Sequence, residues 1–458
     1  MRKEELKNIK VTVLGGGRSG MAAAILLSRN GAIVFLSDEN EKSNLPYLNE
    51  NKLSESGIEF ETGGHTDRIF DTQILVTSPG IKPDSTQLKR AKAENIKIIS
   101  EVEAASWFCK APIAGITGTN GKTTTTALTG EIFKNSGMKT GVCGNVGLAF
   151  SEVAEELDEN SVAVLELSSY QLENIIDLKP KAAAILNLTQ DHIEWHGSFE
   201  NYAKAKFKIN MNQDENDLFV LNEDDDELMR YSTDTKGIRA GITISGNPSK
   251  NIFDRGCYLK KDGLVYYDKN NEEEIIQKDK IKIKGEHNIY NSMAGIAIAK
   301  HFGIENDIIS KTLQEFPGVE HRIEYAGVVD GVIFYNDSKS TNIDSLKVAL
   351  KTFEKNVILM LGGKSSENKY SSLKDLVCGR VKNIIALGEE KERIYDSMSN
   401  FINVEKADSF EKSVNLAFKS ANSGDIVLFS PACKSFDMFN NFEERGNEFK
   451  RIVSKLNR

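Results

Sequence analysis

The chain has 458 residues, 40% hydrophobic and 27% charged, with a net charge of −9. That length suits two to four domains of roughly 100–200 residues, and the acidic balance gives nucleic-acid binding no bulk support. No apolar run approaches the roughly 18 residues of a membrane helix, and the charged opening MRKEELKNIK lacks the apolar stretch of a secretory signal. The five cysteines are scattered without a C-x-x-C pair, as expected of reduced thiols in a cytoplasm.

IKVTVL is a short β-branched run, and RSGMAAAILLSRNG has a helix pattern closed by Gly31. AIVFLSD reads as a second strand ending at Asp38, and TQILVTSPG as another that stops in a turn. This alternation predicts a parallel, helix-covered sheet closing near Lys110. A second stretch opens with the strand APIAGITG and the helix TTTTALTGEIFKNSG. SVAVLELSS, KAAAILNLT and DLFVLN follow, apolar in runs as buried parallel strands are. Between about Asn222 and Lys280 the chain turns polar, and solvated loops with edge hairpins are expected there. HNIYNSMAGIAIAKHFG then predicts a long helix. From about Pro317, GVIFYNDS, NVILMLGG, NIIALG and DIVLFSPA read as strands separated by helix patterns. The fold class is α/β in three domains, residues 1–110, 111–316 and 317–458, without a solenoid repeat.

Two stretches read as phosphate cradles. Gly15-x-Gly17-x-x-Gly20 lies between a strand and a helix, with the acidic Asp38 ending the next strand. That context fits backbone amides and a helix N-terminus facing a diphosphate, with the acid on a ribose hydroxyl. Any nucleotide with those groups satisfies the same physics, and a plain glycine-rich turn is the alternative. The second cradle is sharper: in Gly118-Thr119-Asn120-Gly121-Lys122-Thr123, Lys122 would neutralise β/γ-phosphate charge and the Thr123 hydroxyl would reach Mg²⁺. It departs from the standard loop in carrying Ile116 where that spacing wants glycine. The triphosphate is therefore assigned to the second loop.

GTNGKTTT, ELSSYQLE (166–173), LNLTQDH (186–192), HNIYN (287–291), HR (321–322) and NDSKSTN (336–342) occur in one order along the chain. In these motifs the chain resembles the Mur ligase family, the ATP-dependent amide-forming enzymes of peptidoglycan synthesis, over essentially its whole length. SPG (78–80), NDSKSTN and the tail SPACKSFDMFNNFEERG (430–446) are similar to those members that add D-glutamate to UDP-N-acetylmuramoyl-L-alanine. The resemblance implies an N-terminal Rossmann-like domain that grips UDP rather than NAD. It implies a central P-loop-type ATPase domain with a mainly parallel sheet, and a C-terminal Rossmann-like domain that clamps ATP and presents the amino acid. One cradle per nucleotide follows. A nicotinamide dehydrogenase would leave GTNGKTTT unused, and folylpolyglutamate synthases lack the UDP domain.

The implied reaction transfers the ATP γ-phosphoryl group to the L-alanyl carboxylate, and the amine of D-glutamate then displaces phosphate. Catalysis of that kind is positioning and charge neutralisation. The resemblance assigns catalysis to Lys122, Glu166, His192 and Lys206. It assigns two Mg²⁺ ions to Thr123, Glu166, His192 and a carbamylated Lys206, with Lys204 and Lys208 as near rivals for the carbamate. ATP falls to Gly118, Thr119, Asn120, Gly121, Lys122, Thr123 and Thr124, joined by Asn288, Asn291, Arg322 and Asp337. Arg18, Ser19, Asp38, Glu39, Asn40 and Gly80 would meet the UDP part, and Asn145, Ser168 and Gln171 the sugar and lactyl parts. Lys339, Thr341, Lys364, Ser435 and Phe442 would hold D-glutamate. A cytoplasmic monomer without nucleic-acid or membrane partners is expected.

Overall fold

The computed structural model describes residues 3–232, 235–269, 271–364 and 368–456. The chain divides into two compact units, Met1–Ile281 with Ile289–Glu315, and Lys282–Asn288 with Phe316–Arg458.

The first unit holds two sheets. Strands β1 (Lys10–Leu14), β2 (Ile33–Ser37), β3 (Glu59–Glu61), β4 (Ile74–Thr77) and β5 (Lys97–Ser100) pair in the order β3-β2-β1-β4-β5, all parallel. Strand order reverses beside β1, which makes its carboxyl end the switch point where such sheets take ligands. Helix Arg18–Arg29 covers this sheet with Met21, Ala23, Ala24, Leu26 and Leu27, an apolar stripe at helical spacing.

The second sheet contains β6 (Ile113–Thr117), β7 (Thr140–Gly144), β8 (Val162–Glu166), β9 (Ala182–Ile185), β10 (Leu218–Asn222), β11 (Ile238–Thr243), β12 (Arg255–Lys260), β13 (Gly263–Asp268) and β14 (Asn271–Gln277). Its order is β14-β13-β12-β11-β10-β9-β6-β8-β7. Only the β12-β13-β14 meander is antiparallel. β6, β8 and β9 are buried throughout, which explains their unbroken apolar runs. The polar stretch after Asn222 does form an edge hairpin. It also carries β11 and β12, which continue the parallel sheet and bury Ala240, Ile242, Cys257 and Tyr258.

Two buried carboxylates tie these sheets together. Glu103 accepts hydrogen bonds from the amides of Ile176, Asp177 and Leu178 at 2.9 Å each, and from Trp107 Nε1 at 3.0 Å. Glu101 accepts from the Ser151 amide at 2.6 Å, while its Oε2 is buried without a partner. Burial pushes the Glu101 carboxyl up to about 7.

The second unit holds β15 (Glu324–Val329), β16 (Val332–Asn336), β17 (Val357–Gly363), β18 (Val381–Gly388), β19 (Val404–Lys406) and β20 (Ile426–Phe429). Their order is β15-β16-β20-β17-β18-β19, parallel except for the β15–β16 hairpin. Helices Ile343–Lys351, Phe410–Ser420 and Phe442–Val453 are each capped by a side chain, Asn342, Ser409 and Asn441. Among the described residues no helix is long and apolar enough to cross a membrane.

Candidate active site

Strand β6 delivers the chain into Gly118–Gly121, and helix Lys122–Asn135 starts immediately after. Gly121 caps that helix at φ +85°, and a Cβ there would lie 2.5 Å from Asn291 Oδ1. Only glycine fits this bend without strain. The loop is braced by LNLTQDH, which follows β9. Asn120 N donates to Asn187 Oδ1 at 2.8 Å, and Asn187 Nδ2 returns a bond to Asn120 O at 3.0 Å. Thr119 Oγ1 accepts from Thr189 N and lies 2.9 Å from Tyr202 OH. Asn291, buried in the first unit, accepts from Thr125 Oγ1 at 3.1 Å and so reaches the same helix.

The residues assigned to catalysis converge here. Lys122 Nζ donates to Gly118 O and Thr119 O, each at 2.9 Å. Lys206 is almost fully buried, donates to Gly118 O at 2.8 Å and stands 4.6 Å from the centre of the Tyr202 ring. Burial, aided by the Lys122 charge, drives the Lys206 amine well below its ordinary value despite Asp191 and Glu166. Its rivals differ: Lys204 pairs with Glu200 on the surface and Lys208 with Glu173. Glu166 ends β8, 2% exposed, with one oxygen taken by Asn145 Nδ2 at 2.9 Å. His192 sits in a left-handed conformation, φ +53°, and is half-exposed. Burial lowers its pKa, Asp191 opposes this, and Lys122 and Lys206 lower it further, which favours the neutral imidazole.

Among the described residues no three His, Cys, Asp or Glu form a metal-binding group. The residues present still fit a hard cation that keeps several outside oxygens: the Glu166 carboxylate, the neutral His192 ring and the Thr123 hydroxyl. Sequence reasoning missed His196. This buried histidine bonds Ser169 Oγ at 2.9 Å, stacks on Tyr170 and meets Tyr202 edge-on, and burial pushes it down to about 4. Nothing in the sequence marks it beyond its place four residues after His192.

The first cradle lies at the carboxyl ends of β1, β2 and β4. A Cβ at Gly20 would stand 1.8 Å from Gly15 O, so the helix enters only through glycine. Asp38 is buried and accepts from Gly16 N at 2.6 Å and from Asn40 N at 2.7 Å, which binds the turn to the next strand end. Arg18 pairs with Glu152 at 3.3 Å, and Ser19 follows it in the first helical turn. Glu39, Asn40 and Gly80 are exposed. Ser168 and Gln171 spend part of their bonding on each other as a capping box for helix Ser169–Glu173.

The second unit gathers its own cluster. Asp337 is buried, accepts from Ser430 Oγ at 2.7 Å and Ile323 N at 3.2 Å, and is pushed up to about 7 by burial despite Arg322 and Arg445. Arg322 Nε is buried without a partner. Asn288 donates to Lys284 O. Lys339 N donates to His321 O, and its ammonium stands 5.6 Å from the Phe442 ring. Thr341 is partly exposed and Ser435 is buried. Lys364, at the end of β17, pairs with Glu389 at 3.0 Å. Sequence reasoning also missed Arg445. It is fully buried and donates to Ser338 Oγ at 3.0 Å, Ser338 O at 2.7 Å and Cys433 O at 3.0 Å, clamping NDSKSTN to the tail. Its spacing against Phe449 and Ile452, buried positions of one helix, was the available signal.

A parallel α/β scaffold with two glycine cradles and a buried lysine beside the second one defines a class of nucleotide-dependent ligase. The sequence matches the Mur ligase middle domain over residues 116–299, the Mur ligase glutamate ligase domain over 321–433 and the MurD N-terminal domain over 10–87. The chain belongs to the Mur ligase family. It is 39% identical over 467 residues to the UDP-N-acetylmuramoylalanine–D-glutamate ligase of Salinibacter ruber, covering 100% of both chains. It is 40% identical to the enzyme of that name from Chloroherpeton thalassium, again over 100% of both. Among solved structures, a pseudomurein peptide ligase type C from Methanothermus fervidus aligns with TM-score 0.59 at 18% identity, over 98% of this chain and 100% of that one. The UDP-N-acetylmuramate-alanine ligase of Thermotoga maritima aligns with TM-score 0.57 at 20% identity, with the same coverage. At such identities the likeness is one of fold.

Proposed function

We propose that this chain joins D-glutamate to UDP-N-acetylmuramoyl-L-alanine at the expense of ATP, in peptidoglycan precursor synthesis. The observation that carries the reaction type is the braced Gly118–Lys122 loop with Lys122, Lys206, His192 and Glu166 around it. The full-length likeness to D-glutamate ligases carries the choice of substrates.

A carboxylate and an amine do not condense at neutral pH without a leaving group. The L-alanyl carboxylate oxygen attacks the γ-phosphorus, the bond to the bridging oxygen breaks, and ADP leaves. The neutral amine of D-glutamate then adds to the acyl carbon, and phosphate departs as the nitrogen gives up a proton to solvent and the amide forms. Lys122 offsets the charge of the converging anions, and the loop amides fix the phosphate chain. Thr123, Glu166 and His192 would hold Mg²⁺, which would supply further neutralisation of phosphate charge. Lys206 becomes useful as a carbamate. Burial lowers the proton affinity of its amine, and the deprotonated amine would add to CO₂ and release a proton to solvent, leaving a carbamate oxygen able to hold a second ion.

The remaining assignments belong to the same reading. Residues 1–110 bind UDP, 111–316 bind ATP, and 317–458 bind the amino acid and help clamp ATP. Asn288, Asn291, Arg322 and Asp337 serve ATP, and the unpartnered Arg322 Nε suits a phosphate oxygen. Arg18, Ser19, Asp38, Glu39, Asn40 and Gly80 serve the uridine diphosphate, and Asn145, Ser168 and Gln171 the sugar. Lys339, Thr341, Lys364, Ser435 and Phe442 serve D-glutamate. The protein works as a cytoplasmic monomer. Phosphate release from ATP with UDP-N-acetylmuramoyl-L-alanine, comparing D-glutamate, L-glutamate and L-lysine, tests the reading. Release that depends on D-glutamate supports it, and equal release with all three overturns it.

A further inference from the structure

We propose that Glu389 competes with the incoming amino acid's carboxylate for Lys364 and thereby sets how tightly that substrate is held; this rests on the assignment of Lys364 to the amino-acid site. Lys364 and Glu389 follow the ends of neighbouring parallel strands, with Gly363 opposite Gly388 in the register. Both backbones are anchored at that edge. Lys364 N donates to Lys434 O at 2.9 Å, within the tail motif, and Glu389 N donates to Asp437 Oδ2 at 3.4 Å. With the stems fixed, Lys364 Nζ and Glu389 Oε1 lie 3.0 Å apart. The Glu389 carboxylate thus takes the place against the ammonium that a substrate carboxylate would take.

The pair is open to exchange. The two side chains are 45% and 44% exposed, so solvent reaches them and the contact is weak. A free amino acid carboxylate can share or displace it without leaving a buried charge behind. Asp437 adds negative charge on the same edge, and its Oδ1 is buried without a partner. An anionic ligand must therefore win Lys364 from one carboxylate and approach near another. The fixed acidic pair weakens binding of a dicarboxylate relative to a site with Lys364 alone.

The test compares the full-length protein with E389Q. In initial-rate phosphate release, the KM for D-glutamate should fall about three- to fivefold in E389Q, in keeping with a half-exposed ion pair. The KM for ATP should not move, and the D-glutamate effect should shrink in high salt. Calorimetric titration with glutarate, a dicarboxylate without the reacting amine, reads the same competition without turnover and should show tighter binding to E389Q by a similar factor. Glutarate affinity that is equal in the two proteins, or weaker in E389Q, overturns the role of Glu389. A parent protein that binds glutarate yet releases no phosphate with D-glutamate overturns the reaction assignment instead.

Discussion

Lys122 and Lys206 share one acceptor: the Gly118 carbonyl oxygen takes hydrogen bonds from Lys122 Nζ at 2.9 Å and from Lys206 Nζ at 2.8 Å. Two ammonium groups held this close repel each other, and burial penalises the inner one further. The inner amine is therefore the one whose proton is held less tightly. Lys206→Ala should lose almost all turnover and regain part of it with a short carboxylic acid in the buffer, which can occupy the space of a carbamate. Steady-state rates with and without such an acid check this, and full activity in Lys206→Ala excludes the carbamate role.

The outer lysine behaves differently. Lys122→Ala removes the cation beside the phosphate chain and should lower kcat by about 10²–10³-fold. It also removes one of the charges that depress Lys206 and His192, so both should titrate at higher pH. The His192 ring protons, followed by NMR against pH, should show that upward shift. An unmoved titration would separate the two groups electrostatically, and parental turnover would remove Lys122 from the mechanism.

Much of this site was legible in the sequence because glycine spacing and strand-end polar residues leave a local signature. Gly118, Gly121 and Lys122 follow a run of apolar residues, and Glu166 ends another. β11 and β12 were not legible, because short strands containing Gly241 and Gly256 between charged loops carry neither a long apolar run nor clear alternation. Arg445 and His196 were missed for a related reason. Each is a polar side chain whose partners, Ser338 and Cys433 or Ser169 and Tyr170, are brought close only by the tertiary fold. Asp38 fits the expected fingerprint, and its bonds to Gly16 and Asn40 also give it a structural duty that spacing alone does not reveal.

Gly121→Ala should damage the ATP loop more than its size suggests. The new Cβ would meet Asn291 Oδ1 at 2.5 Å, and an alanine at φ +85° is strained by about 1–2 kcal/mol. Urea unfolding should show a loss of at least that size, with a raised KM for ATP. An unchanged KM would mean that the bend is not needed for nucleotide binding.

Glu101 gives the protein a pH-dependent stability. Its folded pKa, about 7, lies above the ordinary 4.5 because of burial. The native state therefore keeps a proton that the unfolded chain releases, so this group's contribution is fully present below about 4.5 and is lost as pH rises through about 7. The span corresponds to about 3 kcal/mol at most. Glu101→Gln lacks the titration, so the variant should gain on the parent protein between pH 5 and pH 8. Urea midpoints at the two pH values measure the gain, and parallel pH curves would show that Glu101 stays near its ordinary value.

Arg445 tests whether the amino-acid site depends on a clamp outside it. Its guanidinium joins Ser338, next to Lys339, to Cys433, two residues before Ser435. Lysine at this position keeps the charge but cannot reproduce three diverging donors, so at least one buried carbonyl loses its partner. Arg445→Lys should cost about 2–4 kcal/mol of stability and raise the KM for D-glutamate more than the KM for ATP. The asymmetry matters because general loosening of the unit would move both constants together. Stability loss with an unchanged ratio of the two KM values would make Arg445 a core residue with no share in positioning Lys339 and Ser435.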